Sequence, residues 1–90
     1  MIIARRYLIG GRVQGVGFRV FAHARAAMEG VHGYVANRAD GSVEALVEGD
    51  AESVVRVEHA LRRGPMGARV ESFTVEDVAP AYRATGFSVR

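Results

Sequence analysis

Arg19 stands directly behind a run of glycines, in the stretch GGRVQGVGFRVF at residues 10–21. A guanidinium is permanently charged and planar, and it grips phosphoryl oxygens with two parallel hydrogen bonds. Glycines permit positive φ and let successive main-chain N–H groups turn towards one point. Such a concavity, backed by the positive end of a helix, holds a phosphate without carboxylates or metals. With a helix opening at Phe18, Arg19 falls in the first turn. A cation there opposes the helix macrodipole unless an anion shares the place. The same residues also fit a plain glycine-rich turn followed by a solvated arginine, and by themselves they leave both readings open. Asn37, on spacing alone, reads as the residue that starts the turn Arg38-Ala39-Asp40-Gly41.

Nucleotide loops do not fit the glycine run. Gly10 and Gly15 have the spacing of G-x-x-x-x-G-K-[ST], but Val16 and Gly17 occupy the Lys and Ser/Thr positions. A dinucleotide loop needs a third glycine where Val20 stands. The G-F-G-F-V-x-F strand of RNA-binding sheets resembles GVGFRVF. Val16 nevertheless removes one stacking aromatic, and the text follows the first strand pattern, not the third. His23, one turn after Arg19, reads as a solvated helix residue. His32 and His59 are isolated, no two histidines share a metal-ligand spacing, and there is no cysteine. Neither metal nor cofactor is expected.

Periodicity supplies the elements that would position these groups. Tyr7, Ile9 and Val13 alternate with Arg6, Gly10 and Arg12, which predicts a strand over 6–13. From Phe18 to Met28 the period becomes helical, with Phe18, Phe21, Ala22 and Met28 on the expected core face and Gly30 as the stop. Residues 33–49 predict a hairpin turned by Asp40-Gly41, with Val43, Ala45 and Val47 on one face. Asp50 is placed to cap a second helix that carries Val54, Val57 and Leu61 inward and ends at Gly64-Pro65. A strand follows over 68–77, with Val70 out of phase with Phe73 and Val75 unless a bulge separates them. A short strand-like tail, GFSVR, comes after Pro80. The order β-α-β-β-α-β predicts an α+β ferredoxin-like sandwich, an antiparallel sheet with two helices on one face. That fold hosts many functions and decides none.

Ninety residues predict a single domain spanning 1–90. The formal net charge is only +2 and all twelve basic residues are arginine, without a basic run, so no nucleic-acid partner is expected. Neither a signal peptide nor an apolar span of membrane length is visible, and a soluble, cytoplasmic protein is the expectation.

Two longer motifs go further. Residues 11–19, GRVQGVGFR, match G-[KR]-V-Q-G-V-x-F-R throughout, and residues 33–43, GYVANRADGSV, match G-x-V-x-N-x-x-D-G-x-V. The sequence thereby resembles the acylphosphatases, from about Tyr7 to Val89; RRGPMGARVE at 62–71 resembles the family's later helix end and strand. The resemblance implies a metal-free hydrolase that splits acyl phosphates into a carboxylate and inorganic phosphate, and a monomer is the expectation. It implies that Arg19 binds the phosphoryl group, that Asn37 positions the attacking water, and that the amides of Gln14, Gly15, Val16, Gly17 and Phe18 form the cradle. Two departures stand out. Tyr34 replaces a frequent Trp, expected to trim only packing surface. Glu29 replaces a usual Leu and is placed to pair with Arg25 one turn back.

Overall fold

Alternating burial builds the sheet. The computed structural model describes residues 1–81 and 86–90. Its elements run β1 (Ile2–Arg12), α1 (Phe18–Glu29), β2 (His32–Asn37), β3 (Val43–Asp50), α2 (Ala51–Arg63), β4 (Arg69–Val78) and β5 (Phe87–Val89). The strand order is β4-β1-β3-β2-β5. Tyr7 and Ile9 of β1, Val35 of β2, and Val43, Ala45 and Val47 of β3 point to one face. There they meet Phe18, Ala22 and Ala26 of α1 and Val54, Val57 and Leu61 of α2. Helix α1 lies over β2 and β5, and α2 over β1, β3 and β4.

The expected ferredoxin-like order holds, but the sheet is mixed. The pairs β1–β3, β1–β4 and β2–β3 are antiparallel, whereas β5 pairs with β2 in parallel. Strands β4 and β5 occupy opposite edges, and the chain reverses direction between them. A strand reversing from β4 runs with β1 and β2, so the far edge can only be parallel.

The expected bulge is present: Gly10 faces Ser72 but Gly11 faces Val70, so Glu71 is the extra residue in β4. Strand β1 is longer than expected at its start. Helix α1 stops as expected, with Gly30 in the left-handed region and the Gly30 and Val31 amides bonding to the Ala27 and Ala26 carbonyls.

Four local expectations fail. Met28 is 73% exposed and Phe21 only half-buried, because the face of α1 that meets the sheet is Phe18-Ala22-Ala26. At about 100° per residue, the other two lie roughly 100–120° round from its centre. Glu29 bonds not to Arg25 but across the helix seam, accepting from Arg56 Nε at 2.8 Å; Arg25 lies over the Phe21 ring instead. Asp50 makes no side-chain capping bond; its carboxylate faces the Met1 ammonium at 3.5 Å instead. Tyr34 does more than fill space: its hydroxyl donates to Glu44 and its ring carries the Arg90 guanidinium, 4.0 Å from the centroid.

Candidate active site

The register of three strands sets one end of the sheet. Val43, at the start of β3, pairs with Ile9 of β1 on one side and with Asn37, the last residue of β2, on the other. Asn37 is thereby level with Ile9, one strand apart, and β1 runs three residues further to Arg12. Val13, Gly15, Gly17, Phe18, Arg19, Val20 and Asn37 line a common cavity of about 120 Å³ at this end.

The loop leaving β1 shapes the floor of that cavity. Gly15 and Gly17 have φ of 74° and 78°, a region costly for any residue with a Cβ. A Cβ built on either would meet nothing within 4 Å, so conformation and not crowding demands glycine. Gly17 is also the N-cap of α1 and offers no side chain to the free amides. Among the described residues, no acceptor takes the N–H groups of Gly15 to Arg19; the first bond of the helix runs from the Phe21 amide to the Gly17 carbonyl at 3.0 Å. No acidic residue lies in the first turn of α1. The positive end of the helix dipole is thus left without a counter-charge of its own.

Arg19 is half-buried. Its Nη1 donates to the main-chain oxygen of Arg90 at 2.9 Å, and the Arg90 amide is tied to the Val35 carbonyl at 2.8 Å. One prong of the guanidinium is therefore anchored to the sheet.

Asn37 is exposed and its side chain takes no part in the turn that follows. The turn is closed by the Arg38 amide on the Ser42 carbonyl (2.8 Å) and the Gly41 amide on the Arg38 carbonyl (3.2 Å). Asp40 accepts from the Ser42 hydroxyl and amide, as expected of a turn-forming Asp. Those two bonds, the hydroxyl's first, hold its carboxyl below the ordinary value. On the neighbouring strand, Glu44 accepts from Tyr34 and from Arg38 Nη1 (2.8 Å). The Tyr34 hydroxyl bond, with the Arg38 bond behind it, draws the Glu44 pKa below normal against its partial burial.

A family model for acylphosphatase matches residues 5–89. The chain belongs to the acylphosphatase family. It is 45% identical over 85 residues to the acylphosphatase of Koribacter versatilis, covering 94% of this chain and 77% of that one. With the acylphosphatase of Rhizorhabdus wittichii it shares 48% identity over 86 residues, 96% and 86% of the two chains. The crystal structure of acylphosphatase from Bacillus subtilis superposes with a TM-score of 0.93 at 33% identity, covering 100% of this chain and 99% of that one.

Of the residues singled out in this acylphosphatase from sequence, Gly15, Gly17, Phe18, Arg19 and Asn37 border the cavity together. Val16 does not line it and packs partly against the core. Gln14 does not line it either, but its side chain does something the sequence reading missed. Nε2 donates to the Arg38 carbonyl at 2.8 Å and the Ser42 carbonyl at 3.0 Å, which stitches the glycine loop to the turn beyond Asn37. A lone amide side chain in a loop otherwise of glycine and valine was the available signal. His23 stays exposed outside the cavity, its ring 6.3 Å from that of Phe87. No three His, Cys, Asp or Glu side chains gather as a metal site among the described residues, and no helix there is long and apolar enough to cross a membrane.

Proposed function

We propose that this chain hydrolyses acyl phosphates to a carboxylate and inorganic phosphate without a metal ion, acting as a cytoplasmic monomer. The observation that carries the reading is the cavity shared by Arg19, Asn37 and the uncapped start of α1. The phosphoryl group sits over the glycine loop, where the amides of residues 14–18 and the free prong of Arg19 meet its oxygens. Asn37, at the rim opposite the loop, holds a water in line with the bond to be broken.

The water oxygen then forms a bond to phosphorus as the bridging P–O bond breaks. The carboxylate departs with that electron pair, and a phosphoryl oxygen takes the water's proton. A carboxylate is a good leaving group, so catalysis needs positioning and charge stabilisation more than a strong base. The site supplies both: fixed donors at the phosphoryl group and an amide side chain at the water.

Phosphate release from benzoyl phosphate in excess EDTA tests the reaction class. Turnover there supports the reading, and its absence refutes it. Asn37→Ala tests the water's role: kcat falls about 10²–10³-fold, as for loss of one well-aimed donor, while KM stays near the parent value. An unchanged kcat removes Asn37 from the mechanism.

A further inference from the structure

Val20 is 72% exposed although it belongs to the first turn of α1. The core face of that helix runs through Phe18, Ala22 and Ala26, and Val20 lies off it. Packing therefore gives no reason for a branched apolar side chain here, where a polar residue would be as good or better for the helix. Its position offers one. Val20 lines the same cavity as Arg19 and Asn37, and the other apolar side chains there, Val13 and Phe18, are sealed in the core at 0% and 2% exposure. Among the described lining residues it is the one apolar side chain open to a ligand. Side chains on a helix lean towards its N-terminus, which for Val20 is the side of the glycine loop.

Resting on the function proposed above, we infer that Val20 is the acyl-group contact that sets substrate preference. With the phosphoryl group over the loop amides, the acyl part of the substrate must project outward past the rim. Val20 meets it there with two methyl groups and no charge. A flat or branched apolar acyl group covers them and gains affinity from the area removed from water. A two-carbon acetyl group is too short to do so. Val20 thus raises kcat/KM for benzoyl phosphate relative to acetyl phosphate without touching the reacting atoms.

The test compares the two substrates in the parent protein, Val20→Ser and Val20→Thr. Threonine keeps the shape and exchanges one methyl for a hydroxyl, so it guards against a folding artefact in serine. Expected is a fall of about fivefold in kcat/KM for benzoyl phosphate in Val20→Ser, smaller in Val20→Thr, carried by KM. Acetyl phosphate stays within about twofold, because a contact it does not make cannot be lost. An unchanged ratio of the two substrates in active variants overturns the inference and leaves the proposed function standing. A parent protein that hydrolyses neither substrate overturns both.

Discussion

Among the described residues, Arg19 is the one side-chain cation that lines the cavity, and alanine removes it. The size of the loss follows from the site's geometry. A guanidinium that meets the group with its free prong has its charge about 4 Å from the phosphoryl charge, and at the effective dielectric of a protein surface that is worth about 4 kcal/mol per unit charge. Arg19 is only half-buried, so solvent screening trims the figure to about 3–4 kcal/mol. At 1.36 kcal/mol per decade this predicts a fall of about 10²–10³-fold in kcat/KM. Inorganic phosphate, which meets the same group, should lose affinity as a competitive inhibitor in parallel. The bond from Nη1 to the Arg90 carbonyl oxygen also disappears, at a cost of about 1 kcal/mol in stability. A urea titration then separates lost binding from lost fold. Arg19→Lys keeps the charge but not the fork, so it should fall between the two, with the Arg90 anchor weakened as well. An Arg19→Ala protein within about tenfold of the parent, or one inhibited equally by phosphate, would contradict the whole electrostatic account of the site.

Gln14→Ala should destabilise the fold by about 1–2 kcal/mol in urea, from two side-chain bonds to carbonyls. Phosphate inhibition should survive, because the main-chain amide of residue 14 remains. The acid limb of stability should report on Glu44. Its pKa is lower folded than its ordinary 4.5, so the unfolded chain binds protons first and stability falls as pH drops below about 4.5 through the folded value. Glu44→Gln should flatten that limb, and thermal melts between about pH 6 and 3 check it; an unaltered limb would exclude Glu44 as a contributor.

Much of this architecture was legible in the chain. Val70 and Phe73 could not share a face in a regular strand, and the coordinates resolve the conflict with Glu71 as an extra residue. Val54, Val57 and Leu61 announced the inner face of α2, and Asp40-Gly41 the turn between β2 and β3. What periodicity could not carry was pairing and partner choice. The direction of β5 depends on which edge is free, a property of the whole sheet. Glu29 found Arg56 instead of Arg25 because the packing of two helices, not spacing along one, decided which guanidinium lay nearest. At the site, motif matching named residues from both ends of β2 and β1. It did not reveal that Val43 pairs with both Ile9 and Asn37, nor that the Gln14 side chain ties the glycine loop to the turn beyond Asn37.

Strand β1 lies inside the sheet, with Ala4 beside Glu48 on one flank and Val78 on the other. It precedes both of its partners along the chain, and has nothing to join until β3 has followed. Closure over such sequence distances is slow beside local helix formation. Until then Tyr7 and Ile9 stand open on a two-edged ribbon that neighbouring nascent chains can capture. Productive folding is therefore a race between pairing and capture, and its yield should drop as expression level rises.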